Sequence, residues 1–346
     1  MSAACRFGPV SVAGVSLRVL SALLLSILVM AVSARANDST AVIAADGIRL
    51  QETAWIRLKE EVLRISPEEI RIHYVFRSPE VDQRTIVAFP LPVIPFSAPE
   101  YSAVFPEPLD TDNPLHFRVT VDGQPIRPNL QAKALINGVD FTPLLERYGI
   151  RPQDILDYDR LMKRIMALPP AARKELEENG LISKADIPPE MKGEGLPPYE
   201  IHWDLSLIYW WWQTFPAGRD VQVEHVYVPV AGSFFFSLPV TEEVRRMYCT
   251  DRAFLRGAAR MMRRHADPDS PLLLAREVHY ILSTARNWAD TIGHFRLIID
   301  KGRPDRLVSL CWRGLKKVSP TRFVFEARDF EPTQDLKILF LEPMPK

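Results

Sequence analysis

The chain has 346 residues, with 43 Lys and Arg against 43 Asp and Glu, 47 % hydrophobic residues and 25 % charged ones. These are globular values, so extended disorder and a polytopic membrane protein are both excluded. A zero net charge gives no electrostatic case for nucleic acid, which calls for clustered positive charge.

Residues 1–36 carry Arg6, Arg18 and Arg35 and no acid. Val19 to Val32 is an almost unbroken apolar run. As a helix it would span roughly 21 Å at about 1.5 Å per residue, short of a ~30 Å bilayer core. Ala34-Arg35-Ala36 follows as a small-x-small site. The three features read as a secretory signal peptide cleaved after Ala36, the alternative being an uncleaved anchor. No Cys stands directly after the apolar run, so a lipid anchor is not supported. Without this leader the chain holds 40 basic and 43 acidic residues, and no transmembrane span is expected in it.

Residues 37–130 read as a β-sandwich region. Ile70, Ile72, Tyr74 and Phe76 alternate with Arg71, His73, Val75 and Arg77, the period of a half-buried strand. Ser66-Pro-Glu-Glu before it is a turn signal, and Thr85 to Phe89 is a further strand. Residues 90–114 are rich in Pro and read as an irregular extended segment. His116 to Val121 reads as a strand entering a turn at Asp122-Gly123. Short alternating strands with frequent turns predict a sandwich.

Residues 131–198 read as a helical insertion. Thr142 to Tyr148, Asp154 to Ala167 and Pro170 to Asn179 have helical spacing, with Pro near the starts and Gly149 and Gly180 near the ends. A Pro- and Gly-rich stretch from Ile187 to Pro198 closes it. Residues 199–346 read as a β-rich region containing two helices at about 251–284, namely Asp251 to His265 and Leu272 to Thr284. Strands are expected at 200–214, 221–227 and 233–238, and four more close the chain. The fold class is thus mainly β, one sandwich or two, with a helical insertion and a helical pair.

Cys5 lies in the leader, so an exported chain retains Cys249 and Cys311, and these permit one disulfide. The alternative is two buried thiols. The run Arg260 to His265 reads as the exposed face of a helix.

The aromatic run Tyr209-Trp210-Trp211-Trp212, with Phe215, faces both sides of a strand. It either fills two cores or leaves one face as an apolar platform for a glycan, peptide or protein partner of the envelope. Arg219 then falls in the turn that follows, at a sandwich end where loops carry function. His202 and Asp204 share one strand face and could orient a general base, or form a polar surface pair. Glu224 and His225 point to opposite faces, a poor metal pair. There is no His-Glu-x-x-His, Cys-x-x-Cys, Gly-rich phosphate loop or Gly-x-Ser-x-Gly elbow. No metal, cofactor or nucleic-acid partner is expected.

Several phrases carry a family resemblance. They are Asn37-Asp-Ser-Thr-Ala; Ile65-Ser-Pro-Glu-Glu-Ile with Ala88-Phe-Pro-Leu-Pro; Trp212-Gln-Thr-Phe-Pro-Ala-Gly with His225-Val-Tyr-Val-Pro; Tyr248-Cys-Thr-Asp; Tyr280 to Trp288; and Asp300-Lys-Gly with Asp335-Leu-Lys-Ile. In that order they resemble the exported bacterial proteins grouped as domain-of-unknown-function family 4424, over nearly the whole chain after the leader. The resemblance includes both Cys and implies export to the envelope, the periplasm above all, and no reaction. Where similar members read Thr-Gly-Ala-Asn-Trp, this chain has Thr284-Ala-Arg-Asn-Trp, so a turn requiring positive φ would have to form differently. The expected role is a non-enzymatic binding or interaction module. The alternative is a periplasmic hydrolase with a dispersed site including His202, Asp204 or His225.

Overall fold

A computed structural model describes residues 37–97, 102–187, 196–265 and 272–344. The expected leader lies outside the described residues, as do parts of the Pro-rich segment and of the Ile187–Pro198 stretch.

Strands β1 (Ser39–Ala44) and β2 (Gly47–Gln51) form a hairpin. Gly47 turns it with φ of +110°, and a Cβ there would run into the Gln131 side chain, whose Oε1 accepts from Ile48 N at 2.7 Å. Strands β3 (Arg57–Ile65) and β4 (Ile70–Arg77) follow. Their turn is held by Ser66 Oγ, which accepts from Glu69 N at 2.9 Å. As the alternation predicts, Ile70, Ile72, Tyr74 and Phe76 are all buried. Next come β5 (Gln83–Pro90), β6 (Ser102–Val104), β7 (Arg118–Val121), β8 (Gln124–Ile126), β9 (Asn129–Ile136) and β10 (Val139–Asp140).

The middle of the chain supplies α1 (Thr142–Arg147), a 3₁₀ turn (Pro152–Leu156), α2 (Tyr158–Ala167) and α3 (Pro170–Glu178). Asp157 caps α2 by accepting from Arg160 N at 3.1 Å. Strands β11 (Ile182–Lys184) and β12 (Tyr199–Ile201) pair only with each other. Then follow β13 (Asp204–Phe215), β14 (Asp220–Tyr227), β15 (Ala231–Phe236), α4 (Glu242–Tyr248) and α5 (Arg252–His265). Strands β16 (Leu273–Tyr280), β17 (Ile292–Asp300), β18 (Leu307–Leu310), β19 (Lys316–Lys317), β20 (Arg322–Phe330) and β21 (Leu336–Pro343) complete the described chain.

Three sheets carry the core. One has the order β10-β9-β13-β5-β1-β2, the largest β19-β20-β17-β3-β4-β14-β7-β8, and the third β18-β21-β16-β15-β6. The first two face each other as a sandwich. Trp211 of β13 meets His225 of β14 edge-on at 5.4 Å, and Phe215 of β13 meets Phe76 of β4 at 5.6 Å. The third sheet is buried on both faces. Val278, Tyr280, Ile338 and Phe340 join the sandwich core. Leu273, Ala275, Leu339 and Leu341 pack on the other side against Tyr248 of α4 and Phe254, Ala258 and Met261 of α5. Helix α5 accordingly turns Arg260, Arg263, Arg264 and His265 outward, as expected of that basic run.

The helical pair sits earlier than the sequence spacing predicts. Residues 272–284 do not form an α-helix: β16 runs to Tyr280, with Leu273, Ala275, Val278 and Tyr280 buried and paired to β21. The tertiary ladder on both sides overrides the helical content of Leu, Ala, Arg and Glu there. The other helix of the pair is α4, capped by Thr241 Oγ1 on Val244 N at 3.2 Å, with Glu242 and Glu243 in its first turn and Arg245 and Arg246 in its last. The Thr284-Ala-Arg-Asn-Trp departure is absorbed without strain. Ser283–Asn287 is a 3₁₀ turn in which no residue has positive φ, so no glycine is required.

Cys249 and Cys311 form a disulfide with Cα atoms 5.1 Å apart, tying the end of α4 to the segment after β18. The largest sheet joins distant parts of the chain, because β17 pairs in parallel with β3, placing His294 beside Glu60. At this junction a Cβ on Gly293 would lie 2.7 Å from the Lys59 carbonyl oxygen.

Two stability outcomes follow. Opening the 62-residue disulfide loop with Cys249→Ser and Cys311→Ser together should lower unfolding free energy by about 4 kcal/mol, read from the urea midpoint. Gly293→Ala should cost about 2 kcal/mol or more, because backbone rather than a flexible side chain occupies the space.

Candidate functional site

The aromatic run divides by strand alternation. On β13, Tyr209, Trp211 and Phe215 point into the sandwich and are buried. Tyr209 stacks on Phe117 at 4.3 Å. Trp210 points outward and packs with Ala41, Ile48, Ile86 and Ala88 over the outer face of its sheet. Trp212 is 54 % exposed, with the Arg84 guanidinium 5.1 Å above its ring. An exposed platform on this strand would therefore consist of Trp212 and Arg84, without Trp211 or Phe215. Arg219 pairs with Asp122 at 2.7 Å across a loop end.

His202, Asp204 and His225 have separate partners. His202 Nε2 lies 2.7 Å from Ser183 Oγ in the two-stranded sheet, and Asp204 Oδ1 accepts from Ser97 Oγ at 2.6 Å. His225 is fully buried among Phe89, Phe117, Trp211 and Tyr74. The structure thus brings no two of these three into one catalytic arrangement.

A cavity of about 640 Å³ opens between the third sheet, α4 and the segment after β5. Its walls are mostly apolar, including Leu91, Val93, Phe236, Val244 and Met247. Phe235, 65 % exposed, stands at its edge. The polar floor is Glu277 and His279, neighbours on the same face of β16, with Tyr248 from α4. Tyr248 donates its hydroxyl to Glu277 Oε2, and His279 Nε2 is 3.5 Å from the same oxygen. Burial opposes ionisation of Glu277, but His279 and Tyr248 outweigh it and hold the carboxyl below its usual value. The cavity can therefore present a fixed carboxylate in an apolar setting, which suits a ligand with an apolar body and a hydrogen-bond-donating end. The sequence reading missed it because its walls come from three distant segments. The Glu277-x-His279 spacing on one strand face was its only local trace.

A second polar group lies in the core where the three sheets meet. Asn37 and Asp38 are fully buried, immediately after the expected leader site. Asn37 Nδ2 donates to both Glu61 oxygens at 3.1 and 3.2 Å. Asn37 Oδ1 accepts from Asp38 N at 2.8 Å and from the hydroxyls of Tyr74 and Tyr280. Thr284 Oγ1 donates to the Asn37 carbonyl at 2.9 Å, and Trp288 Nε1 to the Asp38 carbonyl at 2.7 Å. The Asp38 carboxylate has no hydrogen bond, and its Oδ2 lies 3.4 Å from His225 Nε2. Burial drives each of these groups toward neutrality. It raises Asp38, with the nearby Glu61 carboxyl adding to the effect. It raises Glu61 to about 8 against the opposing Asn37 amide, and lowers His225 to about 3.

The chain belongs to the family described as "Domain of unknown function (DUF4424)", which it matches over residues 36–339. No curated protein matches it. Among solved structures, a Legionella pneumophila protein described as "a putative nutrient binding protein" is 15 % identical, with 88 % of this chain and 72 % of that one covered and a TM-score of 0.42. An M1 zinc metallopeptidase from Deinococcus radiodurans is 7 % identical, with a TM-score of 0.26, and 85 % of this chain is aligned to 43 % of that one. Scores this low carry no argument about shared function. No helix among the described residues is long and apolar enough to cross a membrane.

The pH dependence of the buried acids can be measured. Glu61 at about 8, against an ordinary value of 4.5, is an acid that keeps its proton on folding. Its stabilising contribution is full below pH 4.5 and is lost as pH rises toward 8, because the unfolded chain then binds fewer protons. For the chain with its leader still attached, Glu61→Gln should flatten the fall in unfolding free energy between those two pH values. An unchanged slope would show that Glu61 ionises normally.

Proposed function

We propose that this is an exported, non-enzymatic binding module of the bacterial envelope, its leader removed after Ala36. The ligand we assign to it has an apolar body and a donor-bearing end. The observation that supports the reading is the cavity beside β16, with Glu277, His279 and Tyr248 at the floor of mostly apolar walls. The envelope location is supported by family membership, by the Arg-bearing apolar leader and by the Cys249–Cys311 disulfide, a bond favoured in oxidising compartments.

The cavity can be tested with N-phenyl-1-naphthylamine, a neutral apolar fluorophore carrying one N–H. The protein should enhance its fluorescence saturably. Val244→Trp, which fills the space from α4, should weaken binding at least tenfold with little change in thermal midpoint. Trp212→Ala, on the opposite sheet's outer strand face, should leave binding unchanged. If Trp212→Ala weakens binding and Val244→Trp does not, the surface platform, with a glycan or envelope protein as its partner, replaces the cavity.

A further inference from the structure

The buried acids beside Asn37 lack a cation. Asp38 and Glu61 are fully buried, and no Lys or Arg among the described residues pairs with either. The groups facing them are Asn37, Tyr74, Tyr280 and His225, none carrying a permanent charge. Asp38 in particular offers two buried oxygens with no donor. A buried carboxylate without partner or counter-charge is strongly disfavoured, so these two acids stay protonated unless a cation reaches them.

The position of these acids in the chain supplies one. Asn37 is the first residue after the expected cleavage site, and its side chain already touches Glu61. Its backbone nitrogen lies only a few bonds from that side chain, and Asp38 is the next residue. In the 346-residue chain this nitrogen is an uncharged amide. We propose that cleavage of the Ala36–Asn37 peptide bond turns it into the counter-cation of Asp38 and Glu61, so that removal of the leader completes the core. The inference rests on the proposed leader processing.

The step balances with water as co-reactant and a leader peptidase as catalyst. The C–N bond between Ala36 and Asn37 breaks, and the water oxygen forms a new bond to the Ala36 carbonyl carbon, leaving a carboxylate. The Asn37 nitrogen receives protons and is an ammonium at neutral pH, its ordinary value being about 7.7–8.0. The ammonium brings up to three donors to a site where Asp38 has none. An acid held neutral by burial can then give up its proton and form a charge-assisted pair. The other Asn37 groups already fix the residue: its carbonyl accepts from Thr284, and its side chain from Tyr74 and Tyr280. The new charge therefore appears at a held position.

The test uses the full chain expressed with its leader and recovered from the envelope fraction of a bacterial host. Sequencing of the N-terminus should begin at Asn37. The α-amine should resist reductive methylation in the folded protein and react at least tenfold faster in urea. Inserting one Ser between Ala36 and Asn37 moves the new amine out of the site and should lower the thermal midpoint by about 5 °C. In an Asp38→Asn, Glu61→Gln background the same insertion should change the midpoint by less than about 1 °C, because no charge remains to pair. A first residue other than Asn37, or a retained leader, would defeat the processing reading. A start at Asn37 with an α-amine labelled equally fast in folded and unfolded protein would overturn the counter-cation while leaving export intact. Full insertion sensitivity in the acid-free background would do the same.

Discussion

The structure depends on one constraint: residues 37–40 must lie where three sheets meet. Asn37 binds Glu61 of β3 and accepts from Tyr74 of β4 and Tyr280 of β16, so two sheets hold it. Two residues later the backbone enters β1, which pairs with β5 in the sheet that also holds β13, Ser39 opposite Ala88. The 3₁₀ turn after β16 closes over the same segment through Thr284, Asn287 and Trp288. These residues are buried, and in a buried site a satisfied network rigidifies the core and a single missing partner is costly. That is why Asn37-Asp-Ser-Thr belongs with the strands in any account of the fold.

The same arrangement separates two kinds of polar group. Those at residues 37–38 are enclosed and fix the meeting of the sheets. Glu277, His279 and Tyr248 stand at the floor of a space open to a ligand, and Glu277 is held in its ionised form. The third sheet lies between these groups because it is covered on both faces. One face contributes Tyr280 to the polar core, and neighbouring positions of the same strand contribute Glu277 and His279 to the cavity.

Much of the local structure was legible in the sequence. The period of two in Ile70 to Phe76 predicted β4, and the same alternation holds in β13 and β14. The two Cys remaining after the leader predicted the disulfide. What local pattern could not supply was pairing. Nothing in the vicinity of β17 indicates that it lies parallel to β3, or that Leu273 to Tyr280 would be claimed by a ladder to β21 rather than coil into a helix. The buried charge was half legible. His225 shares a face with Val221, Val223 and Tyr227, and Glu61 with Leu63 and Ile65, which marks both as core. The irregularity between Leu58 and Glu60 shifts the register of β3 and obscures the second case.

The parallel pairing of β17 with β3 also bears on when the protein can fold. Strand β3 sits inside the largest sheet, yet one of its two neighbours is encoded more than 200 residues downstream. A nascent chain ending before Ile292 leaves that edge open, and the third sheet likewise waits for β21. Topologies dominated by such distant contacts form slowly. The two larger β-assemblies therefore close only when the last third of the chain has been made, and the buried junction at Asn37 cannot form before then.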